Sequence, residues 1–189
     1  MVGSASRVIP SCRSAPSDIQ GARPGPMEQA ETIWNALGTG DCIVMNLLPG
    51  IRELWAETLG DPTVCIAVLD GPVDLSHPSL IGANLTQGET MVPGTADLGP
   101  ACRHGTHIAS VIFGRHYGPV AGLAPRCRGV LLPIFRSVGE QSFQPCSQLD
   151  LARAITQAVQ QGAHVINISG GQFSPSGTAH PLLADVVRD

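Results

Sequence analysis

Three short apolar runs constrain this chain more than any other feature. Val64 to Leu69, Gly129 to Phe135 and Val165 to Ile168 consist mostly of Val, Ile, Leu and Ala, without polar alternation. A strand with one wet face alternates apolar and polar residues. A strand that is apolar throughout is covered on both faces, as in a parallel sheet. Helical patterns lie between the runs. From His104 to Phe113, Ile108, Val111 and Ile112 share one helical face, and Gly114 closes the helix. Leu151, Ile155, Ala158 and Val159 recur at helical spacing after the capping-box-like Ser147-Gln-Leu-Asp150, and Gly162 stops them. Strands separated by helices make βαβ units, so the expected fold is α/β: a parallel sheet with right-handed crossovers and helices on both faces. The composition suits it, with 43% hydrophobic residues but only 4% aromatic ones, which favours an aliphatic core.

Upstream of this pattern, residues 1–26 mix Ser, Arg, Pro, Gly and Ala and read as a disordered tail, since little there can be buried. Residues 27–62 form an expected N-terminal helical arm, with helices at Met27 to Leu37 and Ile51 to Leu59; the second carries Ile51, Leu54, Trp55 and Thr58 on one side and stops at Gly60. Residues 63–189 are the main domain. Its Gly82 to Cys102 stretch reads as a long loop. A formal charge of −4 with 11 Lys and Arg leaves no electrostatic footprint for nucleic acid. The N-terminus lacks the apolar core of a signal peptide, and no apolar run approaches the ~20 residues that span a bilayer, so no membrane partner and a cytoplasmic location are expected. The six cysteines (Cys12, Cys42, Cys65, Cys102, Cys127, Cys146) are scattered, with no C-x-x-C pair, and favour neither a metal site nor a disulfide framework. Oligomeric state is not legible.

Two residues carry the chemistry. Asp70 ends the first apolar run, where active groups of open α/β sheets gather. His104 opens the helical pattern of His104-Gly-Thr-His107. A carboxylate that accepts the Nδ1 proton of an imidazole fixes the tautomer whose Nε2 is a base, which is two-thirds of a Ser-His-Asp hydrolase. Placed in the first helical turn, His104 would feel the positive end of the helix dipole, which lowers its pKa against the opposing Asp70 charge; the balance is expected to leave it neutral near pH 7. His107, three positions on, raises the alternative of an H-x-x-H metal pair. Zinc needs a third protein ligand and no pattern supplies one, so no metal and no cofactor are expected, and His107 reads as structural.

Asp70 in A-V-L-D-G, His104 in H-G-T-H-I-A-S, Gly122-Leu-Ala-Pro125 and Val165-Ile-Asn-Ile-Ser-Gly-Gly171 stand in the order seen in subtilisin-like serine proteases, which this chain resembles from about Leu54 to Asp189. Leu69-Asp-Gly-Pro-Val-Asp74, Arg128-Gly-Val-Leu-Leu-Pro-Ile-Phe135, Gln148-Leu-Asp-Leu-Ala-Arg153 and Gly162 to Gly171 are similar to the subtilases that mature cyanobactin precursor peptides. Gly71 departs from the Ser or Thr usual after the catalytic Asp, in the direction of that subgroup. The resemblance implies a subtilisin-like fold, Asp70 and His104 as catalytic residues, and Ser169, Gly170 and Gly171 lining a cleft for a peptide substrate such as a precursor leader. It implies a structural role for Asn167. No A-A-G-N-like or G-T-S-x-A-x-P segment occurs in the 189 residues. The expectation is therefore the N-terminal part of a serine endopeptidase, incomplete at the C-terminus and inactive alone. The alternative is a non-catalytic peptide-binding remnant.

Overall fold

A computed structural model of the chain describes residues 48–89, 91–92, 99–139, 142–170 and 177–188. The expected tail, the Met27 to Leu37 helix, Cys12, Cys42 and Gly171 lie outside them. In chain order the elements are α1 (Ile51–Glu57), β1 (Cys65–Asp70), β2 (Leu85–Gln87), α2 (Pro100–Phe113), β3 (Arg128–Pro133), β4 (Phe135–Val138), β5 (Ser142–Pro145), α3 (Gln148–Gln160), β6 (Val165–Ile168) and α4 (Pro181–Arg188).

β2, β3, β1 and β6 form a four-stranded sheet in that order, with every pairing parallel. Cys65 pairs with Arg128 at one end of the central pair and Asp70 with Pro133 at the other. Side chains alternate between the sheet faces, and the core divides accordingly. Cys65, Ala67, Leu69, Val130 and Leu132 pack with Ala154, Ile155 and Ala158 of α3. Val68 and Leu131 pack with Ala109 and Phe113 of α2 on the opposite face. The α/β fold with helices on both faces is thus present, and the apolar runs mark β1 and β3 as buried strands; β6, the last strand in the order, is not covered on both faces, since Val165 and Ile168 are exposed.

Several local expectations need correction. α2 starts at Pro100 with Gly99 as its N-cap, not at His104; Pro has no N–H to lose at the first helical position. The stretch expected to be loop contains β2, whose three residues Leu-Thr-Gln are too short and polar to show a period. The run expected as one strand from Gly129 to Phe135 breaks after Pro133, and Phe135 opens an antiparallel β4–β5 hairpin. α1 stops at Glu57 with Leu54 exposed. On α3 the core face consists of Ala152, Ala154, Ile155 and Ala158, while Val159 is exposed. The start of α3 is as expected: Ser147 caps it, its Oγ accepting from Asp150 N–H at 3.1 Å and donating to Asp150 Oδ2 at 2.7 Å. Among the described residues, Cys65, Cys102, Cys127 and Cys146 are free thiols, and no helix is long and apolar enough to cross a membrane.

Candidate active site

Asp70 sits at the carboxyl end of a central strand, 1% exposed. Its backbone is pinned, because its carbonyl accepts from Ile134 N–H at 2.7 Å. Two glycines then let α2 approach it. A Cβ on Gly71 would fall within 3.0 Å of the Ala101 carbonyl, and one on Gly105 within 3.0 Å of the Gly71 and Pro72 carbonyls. Helix and strand end therefore meet backbone to backbone. Side chains fix the seat: Ala101 N–H donates to the buried Ser137 Oγ at 2.9 Å, and Asp74 N–H to Thr106 Oγ1 at 2.9 Å.

This packing brings His104 onto Asp70, with Nδ1 to Oδ1 at 2.8 Å. Gly71 N–H donates to the same oxygen. A carboxylate only accepts, so Nδ1 carries the proton and Nε2 is the free base of the neutral ring. Oδ2 of Asp70 is buried without a hydrogen-bonding partner among the described residues. His104 itself is 28% exposed, enough for its ring to be reached from outside.

The protonation balance differs from the sequence expectation. The hydrogen bond to Asp70 raises the His104 pKa above its ordinary value; desolvation opposes this and the Asp70 charge reinforces it. With α2 starting at Pro100, His104 lies beyond the first turn, where the dipole acts most. His107 is shifted down, first by desolvation and then by the charge of His104. A testable consequence follows for stability. Because the folded pKa of His104 is raised, the pair's contribution is fully present below about pH 6.5, the free imidazole value, and is lost as pH rises through the folded pKa. The melting-temperature difference between wild type and His104→Gln should therefore shrink as pH rises above that value. A difference that grows with pH would contradict the assigned bond.

Ser169 follows β6. Its N–H donates to the Leu69 carbonyl at 3.0 Å and its Oγ accepts from Asn167 Nδ2 at 2.7 Å. It is thus tied to the strand end beside Asp70. A Cβ at Gly170 would sit in ordinary contact with Ile134 and Phe135. Asp70 and His104 are joined directly, and Ser169 and Gly170 lie at the same carboxyl edge of the sheet. Among the described residues no three His, Cys, Asp or Glu side chains are grouped to hold a metal. Sequence reasoning missed the helix seat (Gly105, Thr106 and Ser137) and Phe135, whose ring centroid lies 5.8 Å from that of His104, inclined by 61°. Gly105 and Thr106 lie inside the His104-Gly-Thr-His107 motif and Phe135 ends an apolar run, but no spacing along the chain shows that they meet the end of β1 or His104.

Comparison with known proteins bears on the family and the fold. The prenylagaramide maturation protease PagA has a solved structure that matches with a TM-score of 0.61 and 46% identity, covering 75% of this chain and 46% of that one. A point mutant of the protease domain of PatA matches with a TM-score of 0.60 and 46% identity, over 68% and 46% of the two chains. A thermophilic serine proteinase of Bacillus sp. (strain AK1) is 33% identical over 119 residues, 62% of this chain and 28% of that protein. The chain thus spans less than half the length of these relatives. The subtilase family, Peptidase S8, matches residues 61–186, and with Asp70 and His104 in bonding contact within that span, the chain belongs to it.

Proposed function

We propose that this chain carries the Asp-His relay of a serine-type endopeptidase and that its substrate is a ribosomally made precursor peptide. The observation that carries the reading is the buried Asp70 carboxylate bonded to His104 Nδ1 at the carboxyl edge of a parallel sheet. In this reading Nε2 of His104 takes the proton of a serine hydroxyl as that oxygen attacks the peptide carbonyl, and Asp70 stabilises the imidazolium that forms. His104 then returns the proton to the leaving amine. In this reading the segment Ser169 to Gly171 lines the cleft of an extended substrate. Similarity to two cyanobactin-type maturation proteases at 46% identity supports the precursor peptide as substrate.

Ser169 does not fit the nucleophile's place, since its hydroxyl oxygen accepts from Asn167 directly after β6 and no G-x-S-x-G elbow surrounds it. The 189 residues alone are therefore expected to neither label with a fluorophosphonate nor cleave peptides. A chimera joining them to the remaining C-terminal portion of PagA should label at the supplied serine and cut a leader-bearing peptide. Both activities should depend on His104. A folded chimera that stays unlabelled would sink the reading, as would labelling of a serine within the 189 residues.

A further inference from the structure

We propose that Phe135 is the positioning residue of His104: its ring, braced by Phe143, holds the imidazole in the orientation that keeps Nδ1 on Asp70. The need for such a residue comes from the imidazole itself. Its χ2 torsion is broad and prefers no single ring orientation strongly. One hydrogen bond to Asp70 fixes one atom and leaves the plane of the ring free to swing. A second contact must set that plane.

Phe135 is placed to supply it. It is 8% exposed, and its ring meets the His104 ring at 5.8 Å in an inclined edge-to-face arrangement. The same ring borders the other parts of the site. Atom Cε2 lies 3.1 Å from where a Gly71 Cβ would be, and Cδ1 lies 3.9 Å from a Gly170 Cβ position. Phe135 thus meets the imidazole and stands next to the residue after Asp70 and to Gly170 of the segment proposed to line the cleft. Phe143 on β5 stands nearly perpendicular against it, 5.6 Å away at 88°. The hairpin pairs Phe135 with Pro145 and Ser137 with Phe143, so both rings are fixed by backbone register. Ile134 N–H bonds Asp70 and its carbonyl accepts from Cys146 N–H at 2.7 Å, which anchors the start of the hairpin to the end of β1.

The inference rests on the reading of Asp70 and His104 as a proton relay, but its test does not need turnover. Two titratable groups bear on His104: Asp70 from β1 and His107 from its own helix. The hairpin presents it with the uncharged Phe135. If the ring holds the imidazole on Asp70, removing it weakens the bond that favours the protonated form.

Carbethoxylation of the dilute 189-residue protein, resolved by peptide mass spectrometry across pH, reads the His104 titration midpoint. In Phe135→Leu, which keeps an apolar side chain, the midpoint should fall toward the free imidazole value. Its alkaline modification rate should rise severalfold as the ring leaves Asp70. Phe143→Leu should shift the midpoint the same way by less. An unchanged midpoint in a cooperatively folded Phe135→Leu would overturn the proposal and leave Phe135 a core residue. A raised midpoint would overturn it too, showing that the ring acts only by excluding water. Should Phe135→Leu fail to fold, Phe143→Leu decides on the same terms. A chimera without activity whose His104 midpoint still depends on Phe135 would refute the protease reading and leave this one standing.

Discussion

Asp70→Asn should lower turnover about 10⁴-fold in a chimera that carries the nucleophile, while the fold survives. Oδ1 of Asp70 accepts from both His104 Nδ1 and Gly71 N–H, so the amide has two ways to sit. With its oxygen kept on those donors, its NH₂ takes the place of Oδ2, a buried position without a partner among the described residues. An unsatisfied buried donor costs about 1–3 kcal/mol. Flipped, the NH₂ meets the Gly71 N–H donor and forces His104 into the tautomer with its proton on Nε2, which cannot act as the base. Either way the negative charge that stabilises imidazolium is gone. The His104 midpoint should therefore fall together with kcat, whereas His107→Ala should leave kcat within about threefold, as expected of a residue outside the relay. A loss of less than tenfold, with the midpoint at its wild-type value, would remove Asp70 from the mechanism.

The parts of this site that were legible in the sequence are those encoded by local runs. Val64 to Leu69 announces a buried strand because apolar side chains on both faces leave no other solution, and Asp70 stands out as the charge at its end; Val165 to Ile168 announces a strand, but one that leaves Val165 and Ile168 exposed. Ser147 and Asp150 announce a helix start because the cap is a contact within four residues. β4 and β5 were illegible for the opposite reason. Phe135-Arg-Ser-Val and Ser142-Phe-Gln-Pro have no sustained period, and their pairing is set by a turn and by packing against α2. The start of α2 was readable in Gly99-Pro100, yet the H-G-T-H motif drew the boundary to itself. That error carried into the electrostatics, because a histidine in the first turn and one beyond it feel different dipoles. Phe135 shows the limit most sharply. Its ring meets His104 and Phe143 across three elements, and no spacing along the chain encodes that meeting.

Gly105→Ala should destabilise the protein by about 2 kcal/mol or more, an overpacking cost large enough to outweigh the gain that alanine brings to a helix. The two effects oppose each other. In a free helix the change stabilises by about 1 kcal/mol, because glycine has more backbone freedom to lose. Here the new Cβ would fall within 3.0 Å of the carbonyls of Gly71 and Pro72. Those are backbone atoms directly after a strand end held by the Ile134–Asp70 hydrogen bond at 2.7 Å, so they cannot yield as a side chain would. The helix must move instead. Its seat is shared with the Ala101–Ser137 and Asp74–Thr106 bonds, so a shift weakens those and draws His104 away from Asp70. At this chain length about 2 kcal/mol corresponds to a melting temperature lower by roughly 4–8 °C. Gly170→Ala is the matched control: its Cβ would meet only side-chain atoms, at 3.5 and 3.9 Å, so its stability should stay within about 0.5 kcal/mol of wild type. Differential scanning fluorimetry on the two variants, with the His104 midpoint measured beside it, reads both consequences. A Gly105→Ala protein that melts at or above the wild-type temperature would mean that helix propensity wins. The close approach of α2 to the end of β1 would then not be what seats His104 on Asp70.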